Sequence, residues 1–288
     1  MKIKFHCDEE TGFNRADQFV RAFTYENYSI SPHNHDFYEI NIVISGKGVH
    51  QIENYTLNVE RGDVFVIPPL ISHAYYNTDS LKVCHIIIKN KFIRGNQKES
   101  NKVRGYVQLM EIEPLLRQNN NDTLFLHLDA TQLSELQYEL RYLEDSGIFN
   151  QNSYSAIQGH SVWKLIYYLS YLYDKQINEK IKKKEAKFNV QILDTLEYLH
   201  MHFPERMTIE MLAERVFLSR STFLRNFKIS CGCTPGQYLN RYRVTKAKEL
   251  LENSKLSKTE VAHFCGFYDL SHMERSIKNA GISISVRK

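Results

Sequence analysis

The sequence predicts a multidomain chain of the α+β class: an N-terminal β-barrel with flanking helices, followed by an all-α domain of two helix-turn-helix units. Three observations predict it. Short β-rich runs separated by turn residues fill positions 28–93. The hydrophobic period becomes helical after residue 130. A weak internal duplication, with copies 49–50 residues apart, occupies the last hundred positions.

In the barrel region the runs 38–44, 64–67 and 83–88 are rich in Ile, Val and aromatic residues. Gly46-Lys47-Gly48 reads as a hairpin turn, and Arg61-Gly62-Asp63 and Pro68-Pro69 as strand ends. Many short strands at this spacing suit a small barrel or sandwich. Next, Leu133, Leu136, Leu140 and Leu143 fall at helical spacing, and Trp163, Ile166, Leu169 and Tyr173 repeat it, giving helices over about 130–178. Such stripes serve equally for packing against the barrel and for a dimer seam. Residues 179–187, nearly all charged, read as a linker between a domain at 1–178 and one at 188–288.

The duplication can be followed residue by residue. In the first copy Thr208 caps a helix with Ile209, Leu212, Ala213 and Val216 on one face. After a break at Phe217-Leu218, Ser219 caps a second helix. Its Phe223 and Phe227 point inward, while Arg220, Ser221, Leu224, Arg225 and Lys228 are left outside. The second copy starts at Ser257, buries Val261, Ala262 and Cys265, turns at Gly266-Phe267-Tyr268, and resumes at Asp269 with Met273 and Ile277 inward. Small alanines at matched places allow two helices to cross closely through a short turn. Between the copies, Thr234-Pro235 opens a helix of about 18 residues, roughly 27 Å long. That would hold two recognition helices about one ~34 Å DNA turn apart.

Composition agrees. The 288 residues carry a net charge of +4, yet residues 188–288 hold 15 Lys+Arg against 10 Asp+Glu. The positive excess therefore sits in the last third, where a polyanion would release counterions on binding. The N-terminus lacks an apolar signal stretch, no run approaches a membrane span, and the five scattered cysteines read as reduced thiols. A cytoplasmic protein with no membrane partner is expected.

The last hundred residues resemble the AraC/XylS family of bacterial transcription regulators. The resemblance rests on Ala213, Ser219, Arg225, Phe227-Lys228, Gly232, Thr234-Pro235, Ala262, Gly266-Phe267, Asp269, Ser271, Arg275 and Lys278. It implies a DNA-binding activator with double-stranded DNA, a small-molecule effector, RNA polymerase and a second copy of itself as partners. The places matching the family's base-reading residues are Ser221, Leu224 and Arg225, then Leu270, Ser271, His272, Glu274 and Arg275. Arg220, Lys228 and Lys278 flank them as further DNA contacts. Met273 and Ile277 stand where the family usually has Phe, and the closing segment 281–287 also departs, so the second unit is expected to pack less firmly.

Two further motifs resemble those of cupins, small β-barrels that commonly form the sensor domain in that family. They are His33, His35 and Glu39 in one stretch and Gly62, Pro68, His73 and Asn77 in another, with Leu70 where cupins commonly have Gly. The resemblance implies that His33, His35, Glu39 and His73 are a candidate set for a divalent metal. The same residues could instead anchor a sugar-like ligand, or simply pack. An organic ligand would have Tyr38, Phe65, Tyr75 and Tyr76 as walls. The alternative function is a metal-dependent cupin enzyme with a helical assembly domain.

Overall fold

The computed structural model describes residues 5–13, 18–117, 125–140, 142–144, 151–183 and 189–280. The linker residues 184–187 and the atypical closing segment 281–287 lie outside the described residues. The chain divides into two compact units, Met1–Lys187 and Phe188–Lys288. Among the described residues no helix is long and apolar enough to cross a membrane.

The first unit is one bent eight-stranded sheet: β1 (Phe5–Cys7), β2 (Val20–Tyr25), β3 (Ile30–His35), β4 (Tyr38–Ile52), β5 (Tyr55–Glu60), β6 (Asp63–Ile67), β7 (His73–Ile88) and β8 (Leu126–His127). A short helix, α1 (Glu9–Gly12), follows β1. The strand order is β1-β3-β7-β4-β6-β8, with β2 also on β7 and β5 also on β4. The sheet thus begins well before residue 28, because β2 pairs along the whole of residues 83–88 and β1 pairs in parallel with residues 33–35, and it extends past 93, because β8 pairs with Asp63 and Val64 of β6.

Gly46-Lys47-Gly48 is not a hairpin turn. β4 runs straight through it, and the pairing to β7 slips between Val43 and Val49. Gly46, at φ +77°, brings its backbone so close to Ser80 that an added Cβ would lie 2.2 Å from the Ser80 carbonyl oxygen. Only glycine fits such an approach. The bulged stretch also flips the strand's parity. Residues 39–43 are all buried, but Val43 before it and Ile52 after it, an odd number of residues apart, join the same core cluster.

Behind the sheet come α2 (Asn90–Gly95), α3 (Gln97–Ser100), a π-helical turn (Gln108–Ile112), α4 (Glu113–Arg117), α5 (Ala130–Leu140) and α6 (Gln151–Lys182). Leu133, Leu136, Leu140, Leu143, Ile166, Leu169 and Tyr173 are all buried within the single chain, and half-buried Trp163 stacks on Phe92. Packing inside the unit therefore accounts for these stripes. Helix α6 also continues past residue 178 to Lys182, so the charged stretch begins as a solvated helical end.

The second unit is all helix: α7 (Val190–Met201), α8 (Ile209–Arg215), α9 (Arg220–Cys231), α10 (Pro235–Asn253), α11 (Lys258–Phe264) and α12 (Leu270–Asn279). Each helix begins at a polar cap that satisfies an otherwise orphaned amide: Asn189, Thr208, Ser219, Thr234, Ser257 and Asp269. Met273 and Ile277 are 1% and 7% exposed, in a cluster with Val244, Ala247, Val261, Ala262, Cys265 and Phe267. Within the described residues they fill the core of the second copy.

Candidate ligand pocket and nucleic-acid interface

At one end of the first unit a cleft of about 230 Å³ opens between β1, β2 and β3. Phe5, Arg21, Phe23 and Tyr25 form its mouth, and His33, Glu39 and His85 line it further in. It lies below the ~300 Å³ lower end of drug-sized sites. Strand alternation aims Glu39 and Asn41 inward from β4 and places Tyr38 on the opposite face, away from the cleft. Phe65 and Tyr75 sit in the sealed core beyond it, where Tyr75 stacks on His50 at 4.0 Å, and Tyr76 is only half-buried. The walls are thus the earlier aromatic residues, not Tyr38, Phe65, Tyr75 and Tyr76.

Glu39 is the hub. Its Oε2 lies 2.9 Å from His35 Nε2 and 3.3 Å from His73 Nε2, and its Oε1 accepts from His85 Nδ1 at 2.5 Å. Burial alone would raise the Glu39 carboxyl, but His35, His73 and His85 together hold it well below the usual carboxylate range. Burial lowers His73 to about 4 and pushes His33 and His50 down as well. His33, Glu39 and His73 each offer a ligand atom within 4.8 Å of the others. His35 falls outside that group.

This donor set fits a divalent ion. Two imidazoles and a carboxylate suit a first-row metal. The His33 Nδ1 donates to the Ser31 carbonyl at 3.0 Å, which leaves its Nε2 lone pair free as metal ligands require. Among the described residues His73 Nδ1 and both ring nitrogens of His50 lack a hydrogen-bond partner. Water or an ion can meet buried nitrogens of this kind.

In the second unit the two copies superpose in their hydrogen bonding. Leu218 N donates to Ala213 O at 2.9 Å and Phe267 N to Ala262 O at 3.0 Å, so each turn is latched to its matched alanine. On α9, Phe223 and Phe227 are fully buried while Arg220, Ser221, Arg225 and Lys228 are exposed and Leu224 is half-buried. On α12, Ser271, Glu274, Arg275 and Lys278 are exposed, with Leu270 and His272 half-buried. Arg220 is tied to Glu210 at 2.9 Å and Glu274 to Lys258 at 3.5 Å. Arg225 and Lys228 make no ion pair among the described residues and stand open to solvent.

Residues 15–133 match the family model of the AraC-like ligand binding domain, and residues 212–280 match a helix-turn-helix domain model. The chain is 27% identical over 246 residues to the HTH-type transcriptional activator RhaS of Citrobacter koseri, covering 83% of this chain and 80% of that protein. The chain belongs to the AraC family. It is likewise 28% identical over 244 residues to RhaS of Klebsiella pneumoniae, with the same coverage of both. Among solved structures, the DNA-binding domain of AdpA in complex with a target DNA aligns at 34% identity over 31% of this chain and 80% of that one, with a TM-score of 0.30.

Sequence reasoning missed Phe5, Phe23 and Tyr25, because the barrel was bounded at residue 28. It missed His50, whose inward parity depends on the bulged stretch. It also missed His85, though a signal existed: one imidazole in an otherwise apolar run, in step with inward Val83 and Ile87.

Proposed function

We propose that this chain is a ligand-responsive transcription regulator whose exposed helices α9 and α12 read double-stranded DNA. The sensor unit holds a small polar molecule, of sugar-like chemistry, in the cleft beside Glu39. The observation that carries this reading is the pair of exposed arginines, Arg225 and Arg275, on matched capped helices that each follow a latched three- or four-residue turn. Base contacts are assigned to Ser221, Leu224 and Arg225, and to Leu270, Ser271, His272, Glu274 and Arg275. Arg220, Lys228 and Lys278 serve the phosphates. RNA polymerase and a second copy are the protein partners that fit an activator. Support comes also from the relatives, both named as transcriptional activators. They lend none to an enzyme. The effector would act by preferring one arrangement of the sensor unit, biasing the fraction of molecules competent to bind DNA.

The test is selection of duplexes from a random library by the full chain, followed by titration of the winner. Arg225→Ala should cost about 1–3 kcal/mol on the selected site and relax specificity there. Lys228→Ala should weaken all duplexes alike and flatten the salt slope by about one. Affinity that stays flat between low and moderate salt, or a selected site indifferent to Arg225→Ala, would refute the reading.

A further inference from the structure

Helices α9 and α12 can read one duplex together only if their separation and angle are fixed. The chain joins the two helix-turn-helix copies through α10. Tyr238, near the start of α10, meets Phe227 of α9 edge-on at 5.7 Å. Val244 and Ala247, further along, join the core that holds Met273 and Ile277. Apolar packing has little directionality, so one helix seated this way on both copies still lets them pivot about it.

A second bridge runs through α7. At its start Gln191 Nε2 donates to the Val216 carbonyl at 2.9 Å, at the turn of the first copy. Arg215 of α8 lies over the Tyr198 ring at 4.3 Å and reaches Asp194 at 3.4 Å. At its end α7 leads into the segment Phe203–Glu205, which seats on the second copy. Phe203 packs on the core around Met273. The Pro204 carbonyl oxygen lies 2.3 Å from where a Cβ on Gly266 would be, so the second turn rests backbone to backbone on this segment. Both turns that aim the recognition helices are thus referred to one element, a helix of 12 residues and about 18 Å.

Arg243 closes the bridge. From the middle of α10 its Nε donates to the Phe203 carbonyl at 2.7 Å and its Nη2 to the Glu205 carbonyl at 2.7 Å. A planar guanidinium holds its donors in a fixed fork, so two such bonds set both the distance and the angle of the segment on α10. Each is also stronger than a bond from a neutral donor. Tyr242, its neighbour in sequence, meets His200 of α7 at 4.0 Å and Phe203 edge-on at 5.4 Å between ring centroids.

We propose that Arg243 is a positioning residue for DNA reading. By clamping Phe203–Glu205 onto α10 it fixes α9 and α12 at one separation, and so sets the half-site spacing that the protein accepts. This rests on the reading of α9 and α12 given above and adds a spacing rule to it. One base pair inserted between half-sites moves the second by about 3.4 Å and turns it by about 34–36°. A clamped pair of helices cannot follow that displacement, whereas a pivoting pair can.

Two measurements on the full chain test this. First, the duplex selected from the random library is compared with versions one base pair longer and one shorter between half-sites. The unaltered chain should lose roughly 100-fold on either, whereas Arg243→Gln should bind the selected duplex about 10-fold less tightly and lose less than about 3-fold on the altered ones. Its salt slope should match that of the unaltered chain, because Arg243 neutralises no phosphate. Arg243→Lys, which keeps the charge without the fork, should behave like Arg243→Gln. Second, nitroxides on keto side chains introduced at Lys228 and Lys278, both exposed, report the distance between α9 and α12 without DNA. One narrow distribution is expected in the unaltered chain and a broad one in Arg243→Gln. Gln191→Met, which frees the first turn at the far end of α7, should broaden it likewise and keeps the test open should Arg243→Gln unfold. A spacing penalty that survives Arg243→Gln, a salt slope lowered by about one, or a distribution unmoved by both variants overturns the proposal. A lower melting temperature beside an unmoved penalty and distribution would mark Arg243 as packing only. The distance measurement needs no operator, so a broadened distribution with no selected duplex would sink the DNA reading and leave the clamp standing.

Discussion

Replacing Phe217 by glycine should stabilise the helical unit, an unusual expectation for loss of a large aromatic side chain. The two turns carry the same latch, and the residue four past each alanine occupies left-handed backbone: Phe217 at φ +55° and Gly266 at φ +75°. Phe217 is 95% exposed, so its removal forfeits no burial. A side chain in that region costs about 1–2 kcal/mol, and the extra freedom of glycine in the unfolded chain returns about 0.5–1 kcal/mol of that gain. A net stabilisation of about 0.5–1 kcal/mol remains. The reverse change at the twin turn is far harsher. A Cβ on Gly266 would lie 2.3 Å from the Pro204 carbonyl oxygen, so Gly266→Ala combines backbone strain with a collision against backbone. A loss above about 2 kcal/mol is expected there. Calorimetry of the full chain reads both, with about 4–8 °C in melting temperature for each kcal/mol in a unit of this size. Should Phe217→Gly lower the transition, the equivalence of the two turns would be wrong.

Leu136, wholly buried on α5 beside Leu165 of α6, should cost about 2–5 kcal/mol when cut to alanine, seen as a lower unfolding midpoint in urea; a change in oligomeric state with unaltered stability would instead mark it as seam. Arg117→Met leaves the Glu113 carboxylate buried and alone and should cost about 3–5 kcal/mol, most of it recovered in Glu113→Leu/Arg117→Met; equal losses in single and double variants would show that packing, not charge, is at stake. In the native chain at pH 7.5, iodoacetamide should label Cys7 and Cys233 while Cys84, Cys231 and Cys265, whose buried thiols are pushed up to about 12, wait for unfolding; mass spectrometry that finds Cys84 labelled early contradicts this.

Much of the helical unit was legible because its signals are local. Caps at Thr208, Ser219, Thr234, Ser257 and Asp269, inward pairs at Phe223/Phe227 and Met273/Ile277, and matched Ala213 and Ala262 each speak through residues within one or two helical turns. The cupin-like motifs likewise brought His33, Glu39 and His73 to notice before any coordinates. Leu70, which departs from the pattern, sits at φ +67°, so the glycine usual there reflects backbone and not chemistry.

By itself, then, the sequence determined the plan of a β-rich unit followed by a helical one, the faces of α8, α9, α11 and α12, and the imidazole–carboxylate theme of the sensor. Tertiary structure alone decided which β residues face inward, because the bulged stretch around Gly46 reverses the parity of β4 and no period-2 count can cross it. It decided the pocket as well. Phe5 and Tyr25 reach the mouth through pairing with β3 and β7, tens of residues away, and His85 meets Glu39 only because β7 lies against β4. Helix faces follow from a rule within the helix itself, whereas the surroundings of a strand residue depend on which distant strands pair with it.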